Sequence, residues 1–199
     1  MKAALSLKVF ENEKLEDAIK AAGGIGYAAV EIRTCPTQLP ISTTAGRARE
    51  IKKMVQGAGM QLSVVSSFTG DYSRLEESGS QTCSEDQDMS AQNSSGFYLR
   101  NTLSCQRAFD DFKVFVDLAC ELGAPIIRHW PGWQSSSSAT PDQWQKSIKW
   151  MRKAAEHADT VDKLVGIELH HGTLVDGVES SLRYIRDVDM PGAVLIHDA

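Results

Sequence analysis

Apolar and polar positions along the 199-residue chain alternate between two textures, short β-prone runs and longer stretches of helical spacing. An apolar run at 3–9 precedes a helical pattern through Leu15, Ala18, Ile19 and Ala22, which the Gly23-Gly24 pair is expected to end. A second strand is predicted at 27–32 and a helix at 47–55, carrying Ile51 and Met54. Gly57 and Gly59 close that helix, and a third strand follows at 61–66. Phe109, Phe112, Val116, Ala119 and Gly123 share one helical face, so 104–122 reads as an amphipathic helix, followed by a strand at 124–129. Thr140-Pro141-Asp142-Gln143 matches a capping box with proline at the first helical position; Trp144, Ile148, Met151, Ala155 and Ala158 form the apolar face behind it. A fifth strand at 164–169, a helix at 178–186 and a sixth strand at 193–197 complete the pattern.

Between Gly70 and Asn101 the periodicity vanishes. This stretch is rich in Ser, Gln, Asp, Glu and Asn, and it holds too little apolar surface to offset the entropy of ordering it. It is too long for an ordinary connection and is expected to be an inserted loop or lid.

Five βα units and a final strand predict a parallel sheet, either doubly wound or rolled into a barrel. No GxGxxG or Walker loop follows any strand, which removes the usual nucleotide-binding argument for a wound sheet. Polar residues instead collect where strands end: Glu31 and Arg33, Arg128 and His129, Glu168 and His170, His197 and Asp198. A barrel keeps its active site there. The expected fold is α/β, a (β/α) TIM-type barrel in one domain spanning 1–199, with the polar loop at about 70–101 inserted. Only six of the eight βα units are present, so the chain is expected to be a C-terminally truncated piece of such a barrel.

Composition narrows the function classes. Twenty-one Lys and Arg against 26 Asp and Glu give a net charge of −5, which argues against holding nucleic acid by charge alone. No stretch approaches ~18 uninterrupted apolar residues, and the N-terminus lacks a secretory pattern, so no membrane association is expected. Cys35, Cys83, Cys105 and Cys120 show no metal-ligand spacing and fit reduced thiols in a cytoplasmic protein.

The fifth strand carries the sharpest candidate chemistry. Alternation puts Val165, Ile167 and Leu169 on one face and Gly166, Glu168 and His170 on the other, which in a barrel points inward. A buried carboxylate needs a partner. Glu168 is therefore either satisfied by a neighbouring arginine such as Arg128 or a ligand for a cation. On the sixth strand Val194, Ile196 and Asp198 share a face, so Asp198 stands beside Glu168 or serves as a loop residue or helix cap. Two carboxylates with a nearby imidazole suit Mn²⁺, Mg²⁺, Co²⁺ or Zn²⁺.

Four passages carry a family resemblance: AAGGIGYAAVEIR, ACELGAPIIRHWPGW, VGIELHHGTL and AVLIHDA. In this order and spacing they resemble the xylose-isomerase-like barrel superfamily, which groups sugar-phosphate isomerases and epimerases with endonuclease-IV-type enzymes. The resemblance implies a divalent metal held by a glutamate after strand five, an aspartate after strand six, and a histidine and a glutamate after strands seven and eight. Only the first two map onto this chain, as Glu168 and Asp198. It also implies that Glu168 doubles as the proton-transfer base, and that Glu31, Arg128, His129 and His170 contact a sugar or sugar-derived substrate. His129 has a second reading as a helix-facing core residue, because so short a strand leaves its parity open. Trp130 and Trp133 would wall the pocket or simply pack at the rim, and Arg33 would be a solvated rim charge.

The function this implies is metal-dependent isomerisation or epimerisation by proton transfer next to a carbonyl, in a possible homo-oligomer. Three alternatives share the scaffold: an endonuclease-IV-like phosphodiesterase, a keto-inositol dehydratase, and a non-catalytic barrel relative. The first should bring a histidine near the third strand, where QLSVVSSFTG has none. Limited proteolysis should cut first between Gly70 and Asn101. First cuts within 109–122 or 144–158 would contradict that expectation.

Overall fold

The computed structural model describes residues 3–73 and 104–197. Asp198, Cys83 and most of the polar segment expected at 70–101 lie outside them. Six parallel strands follow one another in chain order: β1 (Ala4–Ser6), β2 (Ala29–Arg33), β3 (Gln61–Gly70), β4 (Ile126–Trp130), β5 (Leu164–Glu168) and β6 (Ala193–Ile196). Between them run α1 (Leu15–Ile25), α2 (Ala45–Gly57), α3 (Cys105–Leu122), α4 (Pro141–Asp159) and α5 (Val178–Val188). Sequential order with every neighbour parallel is the winding of a TIM-type barrel, as expected.

Alternation sorts each strand into two faces. Val30, Ile32, Val65, Ile127, Val165 and Ile167 are wholly buried beneath the helices. They meet the apolar stripes of α3 and α4, including Phe112, Val116, Ile148, Met151 and Ala155. Burying each such side chain stabilises the fold by about 1.5–3 kcal/mol, which makes this layer the main source of stability. The caps fix where the helices begin. Thr44, Ser104 and Thr140 accept hydrogen bonds from the amides of Arg47, Arg107 and Gln143 at 3.2, 3.2 and 3.3 Å. Gln143 returns the bond to Thr140, so the capping box forms as predicted.

Three boundaries differ from expectation. The first apolar run splits into β1 and a 3-10 turn, Leu7–Phe10, started by the Ser6 side chain accepting from the Lys8 amide. Helix α1 runs on through Gly23-Gly24 and stops at Gly26, whose φ of 100° suits glycine. A Cβ at Gly23 would stand 2.9 Å from the Ala58 carbonyl oxygen, so close approach of α1 to the end of α2 is what that glycine serves. Strand β3 extends past Ser66 to Gly70, which brings Ser67, Phe68 and Thr69 into the sheet.

Gly70 ends β3 under tight constraint. Its φ is 126°, and a Cβ there would lie 2.1 Å from the Trp130 carbonyl oxygen. Neither the conformation nor the space admits another residue. Gly70→Ala should destabilise the protein by at least about 2 kcal/mol in equilibrium urea unfolding. A midpoint equal to wild type would contradict this reading of the β3–β4 junction.

Candidate active site

The inner face of the sheet gathers polar groups at one level. Register pairs Arg33 with Ser66, Ser66 with Arg128 and Arg128 with Gly166, so these four positions form a row across β2 to β5. Gly166 leaves room for its neighbours, since a Cβ there would fall 2.4 Å from Ile196 Cδ1 and 2.9 Å from Ile126 Cγ2. Glu168, one inward step further along β5, sits beside Ile196.

Arg128 organises this face. Its Nη1 donates to Glu168 Oε2, and both side chains are 8% exposed. Its Nε points to the Ser67 carbonyl oxygen at 3.5 Å. The guanidinium carbon stands 4.6 Å from the Phe68 ring centre and 4.7 Å from that of Trp130. The pairing of Glu168 with Arg128, one of its two readings from sequence, is thus present. Arg33 is buried rather than solvated, contrary to expectation: Nη1 donates to Glu11 Oε2 at 3.2 Å, and the guanidinium carbon lies 5.3 Å from the same Phe68 ring. The reason is local, because the Gln38 side chain accepts from the Arg33 amide at 3.1 Å and folds the β2–α2 loop over it. Glu31 is half-buried on the inner face and accepts from the Ser6 hydroxyl at 3.2 Å.

The rim is aromatic. Trp130 and Trp133 stand 4.4 Å apart, and the His170 ring meets their edges at 5.4 and 5.6 Å. His170 Nδ1 lies 2.8 Å from the His171 carbonyl oxygen and donates to it, leaving Nε2 as the imidazole's other contact point. Asp176 fastens the rim by accepting from the Ser135 and Ser136 hydroxyls, both at 2.6 Å, and from the Ser136 amide at 3.1 Å. Burial pushes its carboxyl up, but the bonds from Ser135, Ser136 and Ser180 together hold it below the usual value. The β4–α4 and β5–α5 loops are thereby locked to each other.

His129 is placed away from this mouth. It shares the helix-facing side of β4 with Ile127, is wholly buried, and packs 4.3 Å from the Phe112 ring of α3. Thr69 Oγ1 and Tyr72 Oη satisfy its ring nitrogens at 3.0 and 2.6 Å. Substrate contact by His129 is therefore replaced by the core reading, since alternation assigns 127 and 129 to one face. Glu31, Arg128, Glu168 and His170 share the inner face or its rim. Ser66 and Phe68 belong with them: Ser66 lay within the expected strand but was not singled out, and Phe68 lay beyond its expected end. The β-prone continuation Ser67-Phe68-Thr69 was the signal available.

The two carboxylates of the inner face are each engaged by a protein donor, Glu168 by Arg128 and Glu31 by the Ser6 hydroxyl. Among the described residues no group of three or more His, Cys, Asp or Glu side chains could hold a metal ion. The described residues alone therefore do not make up a complete cation site. Nor is any helix among them long and apolar enough to cross a membrane.

Comparison with known proteins agrees with the architecture. The chain belongs to the xylose isomerase-like TIM barrel family, whose model matches residues 19–199. No curated protein sequence matches significantly. Among solved structures, it resembles a probable 3-DHS dehydratase involved in petrobactin synthesis from Bacillus anthracis, at 17% identity and a TM-score of 0.70 over 100% of this chain and 63% of that one. The D-psicose 3-epimerase of Clostridium cellulolyticum H10, solved with D-tagatose, matches at 16% identity and a TM-score of 0.70, with the same coverage. A xylose isomerase-like TIM barrel protein from Mycobacterium smegmatis in complex with magnesium matches at 15% identity and 0.64, over 98% of this chain and 63% of that one. The chain thus spans about 63% of the length of these structures.

His129 gives the fold a measurable acid sensitivity. Burial pushes its imidazole down to about 3, so it stays neutral in the folded state while the unfolded chain takes up a proton below about 6.5. Stability from this group is full above pH 6.5 and falls as pH drops from there toward 3, by up to about 1.4 kcal/mol per pH unit. His129→Leu should flatten the dependence of unfolding free energy on pH between 6.5 and 4.5. An unchanged slope would show that His129 is not the buried neutral base.

Proposed function

We propose that the mouth at the strand C-terminal ends is the active site of a sugar isomerase or epimerase-type enzyme that moves a proton next to a carbonyl, with Glu168 as the base. The observation carrying this reading is the buried Glu168 carboxylate on the inner face of β5, oriented by an arginine that two aromatic rings hold in place.

A base must reach the carbon-bound proton within hydrogen-bonding distance and be fixed in direction when it does. Arg128 supplies the fixing. Its Nη1 engages one carboxylate oxygen, Oε2, leaving Oε1 to accept the proton. The carbon loses that proton as its C–H electron pair moves into the carbonyl, giving an enediolate. Delivery of that proton from Glu168 to the neighbouring carbon, while the hydroxyl proton on the first carbon passes to the old carbonyl oxygen, gives isomerisation; delivery of a different proton, from solvent on the opposite face of the first carbon, gives epimerisation as the carbonyl re-forms. His170, with Nε2 free of the bond to His171, is placed at the rim to meet a substrate hydroxyl. Glu31 offers a carboxylate for another hydroxyl deeper on the inner face. Trp130 and Trp133 exclude water from one side. A divalent cation (Mn²⁺, Mg²⁺, Co²⁺ or Zn²⁺) held by Glu168 with Asp198 would supply the positive charge that stabilises an enediolate.

Incorporation of solvent deuterium into a panel of ketoses and keto-inositols, with and without chelator, tests this directly. Glu168→Gln keeps the size but removes the basicity and should cut exchange by at least ~10²-fold. Asp198→Asn should mainly lower metal affinity, with partial rescue at high Mn²⁺ or Co²⁺. Exchange that ignores chelator, or an unchanged rate in Glu168→Gln, would reject the mechanism.

A further inference from the structure

We propose that the wall of the mouth formed by β2, β3 and β4 is an oxyanion subsite, built to take a carboxylate or phosphate group of the substrate on Arg33, Ser66 and Arg128. This deepens the reading of the mouth as a substrate site and rests on it.

The argument starts from position. Arg33, Ser66 and Arg128 occupy one level of the inner face on three adjacent strands. Two strand spacings, about 10 Å, separate the arginine backbones, with the serine between them. Both guanidinium groups then lie against one ring, that of Phe68, at 5.3 and 4.6 Å. Phe68, on the strand between them, is the neighbour that the two cations share.

The donors there exceed the acceptors. Among the described residues, Arg33 Nε, Ser66 Oγ, Arg128 Nη2 and Trp130 Nε1 are buried with no hydrogen-bond partner. Arg33 is 3% exposed, Arg128 7% and Ser66 0%, so water does not readily serve them. Buried polar groups are normally satisfied, and a desolvated guanidinium N–H without an acceptor is the costliest case. The carboxylates nearby take bonds from other donors and none reaches these four atoms. Glu168 takes Arg128 Nη1, Glu11 takes Arg33 Nη1 and Glu31 takes the Ser6 hydroxyl.

All four unsatisfied groups can donate, and three of them cannot accept. A neutral sugar hydroxyl would bring a hydrogen of its own into this patch, whereas a carboxylate or phosphate brings acceptors only. The planar fork of arginine favours such groups in particular. The subsite therefore selects substrates carrying an anionic group on the side of the mouth away from β6.

Tryptophan emission reads binding without turnover, since Trp130 and Trp133 stand at the mouth and are two of the chain's four tryptophans. The full chain would be titrated with D-fructose, D-fructose 6-phosphate, 5-keto-D-gluconate and inorganic phosphate. At low salt one or both anionic ketoses should bind at least about tenfold more tightly than fructose, and the preference should shrink as salt rises. Whichever anionic ketose binds more tightly identifies the group. Ser66→Ala should weaken the preferred anion about tenfold and leave fructose unchanged. Arg33→Gln should abolish the preference. Equal affinities in the wild-type chain, or no binding by any of the four, would overturn the subsite. A preference for anions without solvent-deuterium exchange would sink the proton-transfer reading and leave the subsite standing, while exchange without the preference would do the reverse.

Discussion

Everything at the mouth depends on one buried ion pair, Arg128 with Glu168. Taking both charges out of water carries a desolvation cost that their attraction repays only with good geometry and further contacts. Those contacts are present. Phe68 and Trp130 flank the guanidinium, and the Ser67 carbonyl lies toward its Nε. Each contact constrains the sequence elsewhere. Phe68 requires β3 to continue past Ser66, and that extension ends where only Gly70 fits under the Trp130 carbonyl. Trp130 in turn carries Trp133 and His170 at the rim. The loops bearing those side chains are joined through Asp176 and its serines. Removing either charge would strand the other in a dry site, so the pair acts as a keystone whether or not it adds net stability.

The two-residue period of the strands separates this arrangement from the core. The aliphatic side chains at helix-facing positions supply the hydrophobic stabilisation. Inward positions near the strand ends carry the buried charges Arg33, Arg128 and Glu168. A parallel barrel permits this division because one face of every strand meets a helix and the other meets its fellow strands. The inner row can hold unsatisfied donors without threatening the fold, since the opposite face already holds the strands in place.

Much of this was legible in the sequence, and the failures share one cause. Long periodic segments such as 104–122 and the Thr140 capping box were readable because local signals and packing agree there. The inward direction of Glu168 followed from an eight-residue stretch whose alternation is unambiguous. Arg33 was misread because its burial depends on Glu11, which the fold brings to it from the preceding βα unit, and on how Gln38 turns the loop that follows β2. Phe68 was missed because a strand's length is set by its neighbours as much as by its own residues. Helix α1 overran its glycine pair because the requirement at Gly23 comes from Ala58, 35 positions away.

His129 and His170 show what separates a structural from a functional histidine in this fold. His129 comes directly after the buried Arg128 and His170 two residues after the buried Glu168, and composition does not tell them apart. His129 has both nitrogens satisfied by protein groups, no exposure, and a neutral imidazole. Such a group is finished chemically, and it anchors β4 to Tyr72 and α3. His170 spends one nitrogen on a neighbouring carbonyl and stands at an aromatic rim with the other. An incompletely satisfied polar group is a cost in a core and a resource in a mouth, because only there can a ligand complete it. The same distinction separates the Thr69–His129–Tyr72 chain from the donors of Ser66 and Arg128, which lie on the opposite face of the same two strands.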